Sequence, residues 1–147
     1  MMKKILITCG SCYNGRHLNF ELLDIYEKQN ILYMSRSEAG ISQLLNACSQ
    51  KDNNCRLKIV ISDIRDEEAV RFYLRDVDTL IHLAALKRVD LCESECIEAV
   101  TTNILGTMNL IKHFHGGTFI QMSTDKAVEP NNCYGATKMV AEKLVFE

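Results

Sequence analysis

Tyr134 and Lys138 stand four positions apart in the segment STDKAVEPNNCYGATK, residues 123–138. On a helix that spacing puts both side chains on one face. A free tyrosine titrates near pH ~10. A neighbouring ammonium stabilises the phenolate, which makes the tyrosine a usable base towards a hydroxyl near neutral pH. The same segment opens with Thr124, Asp125 and Lys126, which put a hydroxyl, an acid and a base into one loop. A solvated turn has the same composition, but the loop directly follows an apolar run that reads as a strand, TFIQMS (118–123).

A second chemistry-bearing stretch lies near the start of the chain, TCGSCYNG (8–15). It reads as a strand-to-helix turn of the kind that cradles a nucleotide's phosphates. Such turns use one glycine for the tight turn, a second for close approach of the backbone to pyrophosphate, and a third for helix packing. Gly15 can serve as the third, with Gly10, Ser11 and Asn14 available around the phosphate, but Cys9 and Cys12 stand at the first two positions. A β-carbon at a left-handed position costs roughly 1–2 kcal/mol. A loss of about ten- to a hundredfold in cofactor affinity follows, from roughly 1.4–2.8 kcal/mol. A redox or metal-binding CxxC is the competing reading, with Cys92 and Cys96 the other closely spaced pair.

The residues that follow the other apolar runs fit the same ligand. Ser35 and Arg36 suit the 2′-phosphate of NADP, where an NAD site usually has an acid; an exposed arginine opening a helix looks the same. Asp63 can accept from an adenine amino group, with Ile64 beside it, or Asp63 and Asp66 can cap a helix. Ala84 and Ala85 would let the chain pass close to a cofactor, or simply pack tightly. His82, His113 and His115 read as strand and helix-end residues.

These segments must be positioned by alternating elements. KKILIT (3–8), ILYMS (31–35), LKIVIS (57–62), DTLIHLA (78–84) and TFIQMS (118–123) are continuously apolar, as strands covered on both faces are. Helical patterns fall at about 16–29, 38–48, 66–75, 95–114 and from 133 onward. Alternation of this kind predicts an α/β fold, a doubly wound Rossmann-like parallel sheet of about five strands in the order 3-2-1-4-5, with ligands at the carboxyl ends.

The 147 residues are 47% hydrophobic and 24% charged with a formal net charge of −2, values of an ordinary globular domain and not of a general nucleic-acid or membrane-surface binder. No apolar run reaches the length of a membrane span. The seven cysteines have no scaffold-like spacing and read as free thiols of a cytoplasmic protein.

Taken together, the chain resembles the extended short-chain dehydrogenase/reductases, and within them the UDP-N-acetylglucosamine 4,6-dehydratases of polysaccharide and glycan biosynthesis. AALKRVDLCESECIEAVTTNILGT (84–107) is similar to that family's A-A-L-K-x-V…E…E…T-N-I-x-G-T segment, and S-T-D-K-A followed by Y-G-A-T-K is closer still. The resemblance implies a three-stage reaction on a UDP-sugar. Oxidation at C4 passes hydride to bound NADP (NAD being possible), water is lost across C5 and C6, and the hydride returns to C6. The product is a 4-keto-6-deoxy sugar. It further implies Tyr134 as the C4 base, Lys138 as its tuner and ribose ligand, and Thr124 as the group orienting the C4 hydroxyl. Asp125 and Lys126 become the elimination pair, and Lys87 and Asn103 lie near cofactor and substrate.

Three departures stand out. The family's T-G-G-T-G-S-x-G turn is TCGSCYNG here. Asp90 and Cys96 replace two prolines of V-P-x-x-E-x-N-P, which predicts a looser loop. The resemblance covers only a relative's N-terminal half, so residues 1–147 are expected to be an incomplete NAD(P)-binding domain lacking the substrate-binding part. Two readings follow: an impaired dehydratase, or a non-catalytic module that associates with a full-length relative. By family, the helices at 95–114 and 133–147 would form a homo-oligomer.

Overall fold

A computed structural model describes residues 4–9, 12–25, 30–51 and 57–147. Its strands are β1 (Ile5–Thr8), β2 (Ile31–Ser35), β3 (Lys58–Ile61), β4 (Thr79–His82) and β5 (Thr118–Gln121). They form one parallel sheet in the order β3-β2-β1-β4-β5, as the apolar runs predict. β1 lies between β2 and β4, with Ile5 level with Ile31 on one side and Thr79 on the other.

The helices are α1 (Tyr13–Ile25), α2 (Glu38–Lys51), α3 (Glu67–Leu74), α4 (Val89–Ser94), α5 (Cys96–Val100), α6 (Gly106–His113) and α7 (Cys133–Phe146). A π-helical segment, Thr101–Leu105, joins α5 to α6, and a 3₁₀ turn, Asp125–Ala127, precedes α7. The pattern read as one helix over 95–114 is therefore α5, the π segment and α6. α4 escapes the periodicity because it is six residues long and buries only Cys92. α1 begins before the expected position 16, since Cys12 already accepts the Arg16 amide at its carbonyl.

The chain divides into two units. The first comprises Met1–Asp63, Asp76–Leu83 and Gly116–Ile120. Ile5, Ile7, Ile31, Tyr33 and Ile81 alternate along β1, β2 and β4 and pack with Leu18, Leu22 and Leu23 of α1 and Leu44 of α2. Leu6, Met34 and Leu80, on the opposite pleat, are equally buried. That double burial is why these strands read as continuous apolar runs and not as alternating ones. The outer strands β3 and β5 are more exposed, with Ile61 and Ile120 facing solvent. His82 is a core residue, its Nδ1 2.8 Å from Thr8 Oγ1, which also accepts from the Leu83 amide. Cys48, buried in α2, is disulfide-bonded, so the expectation of free thiols fails at that position.

The second unit comprises Ile64–Arg75, Ala84–His115 and Gln121–Glu147. Asp66 caps α3 by accepting from the Ala69 amide at 3.1 Å, so of the two aspartates that could cap a helix here it is Asp66 that does. Gly106 lets α6 close on Ile64, since a β-carbon there would lie 2.7 Å from the Ile64 side chain.

Candidate active site

In the second unit, Tyr134 and Lys138 occupy the first two turns of α7, as their spacing predicts. Asn132 caps this helix, its Oδ1 accepting from the Gly135 amide at 2.8 Å. Tyr134 is half-buried and Lys138 is buried, 3% exposed. Lys138 Nζ donates to the Met122 carbonyl at 2.7 Å. Burial holds its pKa below the ordinary lysine value, partly offset by the charge of Glu142. Glu142 in turn accepts from the Ser123 hydroxyl. A buried ammonium favours a nearby anion, and Glu142 supplies such a charge to Lys138; Tyr134 stands four residues back on the same helix face.

The loop carrying Thr124, Asp125 and Lys126 is docked directly on α7. A β-carbon at Gly135 would lie 2.0 Å from the Lys126 carbonyl oxygen, so only glycine permits the contact. Thr124 caps the 3₁₀ turn, and its hydroxyl donates to Asp125 Oδ1 at 3.0 Å. Lys126 Nζ lies 3.6 Å from the same oxygen. The Thr124 hydrogen bond and then the Lys126 charge hold the Asp125 carboxyl below its usual range, so it is a carboxylate at neutral pH. Both Asp125 and Lys126 are exposed.

Asn103 lies in the π segment, a helix distortion often found at functional positions. It is 1% exposed. Its Oδ1 accepts from the Leu86 amide at 2.8 Å, and its Nδ2 donates to the Leu86 carbonyl and to Thr137 Oγ1, each at 3.0 Å. Both amide protons are spent inside the protein, which makes Asn103 a positioning residue. It fixes the backbone between Ala85 and Lys87 and ties it to α7 beside Lys138. Ala84 and Ala85 are half-buried and Lys87 is exposed. Ile64 is buried, with its carbonyl accepting from Asn109 at 3.0 Å. Asp90, at one of the missing prolines, pairs with Arg88 at 2.5 Å in the first turn of α4.

In the first unit, Cys9 follows β1 with φ of 57°, in the left-handed region that favours glycine. The glycine-type conformation expected at this position is therefore present, with a β-carbon on it. Cys9 N donates to the Met34 carbonyl at 2.8 Å and its carbonyl accepts from Cys12 N at 3.0 Å. Cys12 Sγ accepts from the Gly15 amide at 3.4 Å. A sulfur thus engages one of the helix N-terminal amides that a phosphate would use. Gly10 and Ser11 lie outside the described residues, and Asn14 is in the first turn of α1. At the end of β2, Ser35 is buried and its Oγ accepts from the Ser37 amide at 3.3 Å. Arg36 Nη1 lies 3.3 Å from Asp63 Oδ2, so the residues read as phosphate and adenine ligands pair with each other.

The chain matches the family described as "Polysaccharide biosynthesis protein" over residues 5–147. It belongs to that family. It is 39% identical over 145 residues to a UDP-N-acetylglucosamine 4,6-dehydratase (inverting) of Campylobacter jejuni, covering 97% of this chain and 42% of the relative. It is 41% identical over 150 residues to a UDP-glucose 4-epimerase of Rickettsia bellii, covering 98% of this chain and 43% of the relative. Among solved structures, a dTDP-glucose 4,6-dehydratase of Streptomyces venezuelae with NAD and TYD bound superposes with a TM-score of 0.81 at 24% identity, over 96% of this chain and 50% of that one. The chain therefore spans under half the length of the curated relatives it matches.

Within this family member, sequence reasoning missed Gly135, Thr137 and Glu142. Gly135 carried a signal, since a glycine in the first turn of a helix is costly unless something packs on it. The other two are polar residues on a helix, and their partnerships come from tertiary packing. Among the described residues no helix is long and apolar enough to cross a membrane.

Proposed function

We propose that this chain is the dinucleotide-binding and catalytic portion of a nucleotide-sugar 4,6-dehydratase. The observation that carries the reading is the buried Lys138 ammonium on the Tyr134 face of α7, with the Thr124–Lys126 turn seated against the same helix at Gly135. In the first unit the β1–α1 turn would take the phosphates of a nicotinamide dinucleotide and Arg36 the 2′-phosphate of NADP; in the second, Lys138 would hold a ribose. The bound dinucleotide supplies the hydride acceptor and donor.

The residues' own work then follows from their chemistry. Tyr134, on the same face of α7 as Lys138, takes the proton of the sugar C4 hydroxyl, which Thr124 orients. Once C4 is a ketone the C5 proton is acidic. The Asp125–Lys126 pair relays that proton to the departing C6 hydroxyl, which leaves as water. Asn103 contributes by holding the 85–87 backbone in place. General-base catalysis contributes about 10²–10⁴-fold in rate, so Tyr134→Phe should lower turnover by that factor. The assay is incubation with UDP-N-acetylglucosamine and NADP, with the product read by mass spectrometry. Loss of one water supports dehydration. A product of unchanged mass and inverted C4 shows the epimerase activity that the 41% identical relative suggests. No product at all favours the non-catalytic module, a reading supported by the strained Cys9 and the Cys12 sulfur on Gly15 N.

The exposed Ile97, Leu105, Met108 and Val140 on α5, the π segment, α6 and α7 support self-association through these helices. Sedimentation at increasing concentration should show a dimer. A monomer throughout contradicts that partner assignment.

A further inference from the structure

Arg36 follows β2 and Asp63 follows β3, both in the first unit, at the carboxyl ends of adjacent strands. The backbone fixes that corner. The Ser62 amide donates to the Ser35 carbonyl at 3.1 Å, which carries the β2–β3 pairing past Ile61. Ser35 Oγ accepts from the Ser37 amide at 3.3 Å, and Ser37 Oγ accepts from the Gly40 amide at 3.1 Å, in the manner of a helix cap on α2. Arg36 therefore stands between two serines that are themselves bonded to the backbone. Its Nη1 donates to Asp63 Oδ2 at 3.3 Å. The carboxylate is the more sheltered partner, its side chain 24% exposed against 49% for the arginine. The arginine thus reaches across to an acid whose place is set by the end of β3.

We propose that Asp63 is a specificity-determining residue: by pairing with Arg36 it offsets the charge that would favour a 2′-phosphate on the adenosine ribose, so that the first unit takes NAD and NADP with similar affinity. This role rests on the reading of the first unit as a dinucleotide site, and not on the reaction assigned to Tyr134. A phosphate monoester carries about −1.5 to −2 charges at neutral pH. To engage Arg36 it has either to displace the Asp63 carboxylate or to lie beside it, and the second places like charges together. A ribose hydroxyl carries no charge and meets neither obstacle.

Charge pairs this exposed are weak, so the effect is graded and not absolute. Asp63→Asn keeps an oxygen that can accept from an adenine amino group and removes only the charge. It should tighten NADP roughly three- to tenfold, the range of one surface charge pair together with one like-charge repulsion. NAD should change by less than about twofold. The gain should shrink as salt is added, because exposed charges are screened. A rearranged loop would instead shift both dinucleotides together and respond little to salt.

The test is calorimetric titration of NADP and of NAD into the full chain and its Asp63→Asn variant, at low and high salt. Repeating it in the Cys9→Gly/Cys12→Gly background keeps the ratio measurable where the natural turn binds weakly. Glu38→Gln is the control, since it removes an exposed acid from the first turn of α2 and leaves Asp63 in place. The expected result is similar affinity for the two dinucleotides in the parent, and an NADP preference raised roughly three- to tenfold by Asp63→Asn, most at low salt. The proposal is overturned if the parent already favours NADP by about tenfold or more, if Asp63→Asn shifts both dinucleotides equally or neither, or if Glu38→Gln raises the preference as much. In each of those cases a dinucleotide still binds, so the reading of the first unit stands. Binding of neither dinucleotide to any of the proteins would remove that reading and this role together.

Discussion

The turn after β1 and the turn after β5 both lead from a strand to a helix, and they differ in how residue type matches backbone. After β5, Thr124 caps the 3₁₀ turn, Asn132 caps α7, and Gly135 stands where a β-carbon would meet the Lys126 carbonyl at 2.0 Å. After β1, Cys9 carries a side chain at φ of 57° and Cys12 places a sulfur on the Gly15 amide. The β5 turn has one left-handed non-glycine residue of its own, Glu129 at φ of 45°. That residue is exposed and lies outside the proposed chemistry, whereas Cys9 sits in the turn proposed to take the phosphates. The comparison teaches that backbone strain alone does not mark a failing site. What matters is whether the strained residue stands where a ligand must approach.

Three substitutions would break or sharpen this contrast. The largest effect is expected at Gly135→Ala, because the β-carbon must displace backbone and not a flexible side chain. Overpacking of this kind costs about 1–3 kcal/mol, to be read from urea unfolding, and it should lower turnover as the Thr124–Lys126 turn lifts from α7. A variant as stable and active as the parent would mean the docking is unimportant. Smaller effects are expected where left-handed strain is relieved. Cys9→Gly and Glu129→Gly should each stabilise the fold by about 1 kcal/mol in the same unfolding assay, with the extra backbone freedom of glycine reducing the gain. Only Cys9→Gly should also tighten dinucleotide binding. Equal changes in binding from both variants would remove the distinction drawn between the two turns.

The strand order was legible because β1, β2 and β4 are buried on both pleats and interrupted by amphipathic helices. The cost of Cys9 was legible too, since a strand-to-helix phosphate turn demands a left-handed residue and the sequence offers cysteine there. Other features depend on tertiary packing that spacing does not encode. The π segment looks like ordinary helix in the sequence, yet it is where Asn103 bonds both the amide and the carbonyl of Leu86. The Arg36–Asp63 pair joins residues 27 apart that were read as separate ligands. A 2′-phosphate at Arg36 has to compete with that carboxylate.

We propose that the Tyr134–Lys138 arrangement on α7 is catalytic and that the turn after β1 is weakened as a phosphate site by its two cysteines. The most direct test is calorimetric titration of NADP into the reduced natural chain and into the Cys9→Gly/Cys12→Gly variant. The variant should bind about ten- to a hundredfold more tightly, equivalent to roughly 1.4–2.8 kcal/mol. Equal affinity in the two proteins would contradict it, because the cysteines would then be no obstacle to the phosphate.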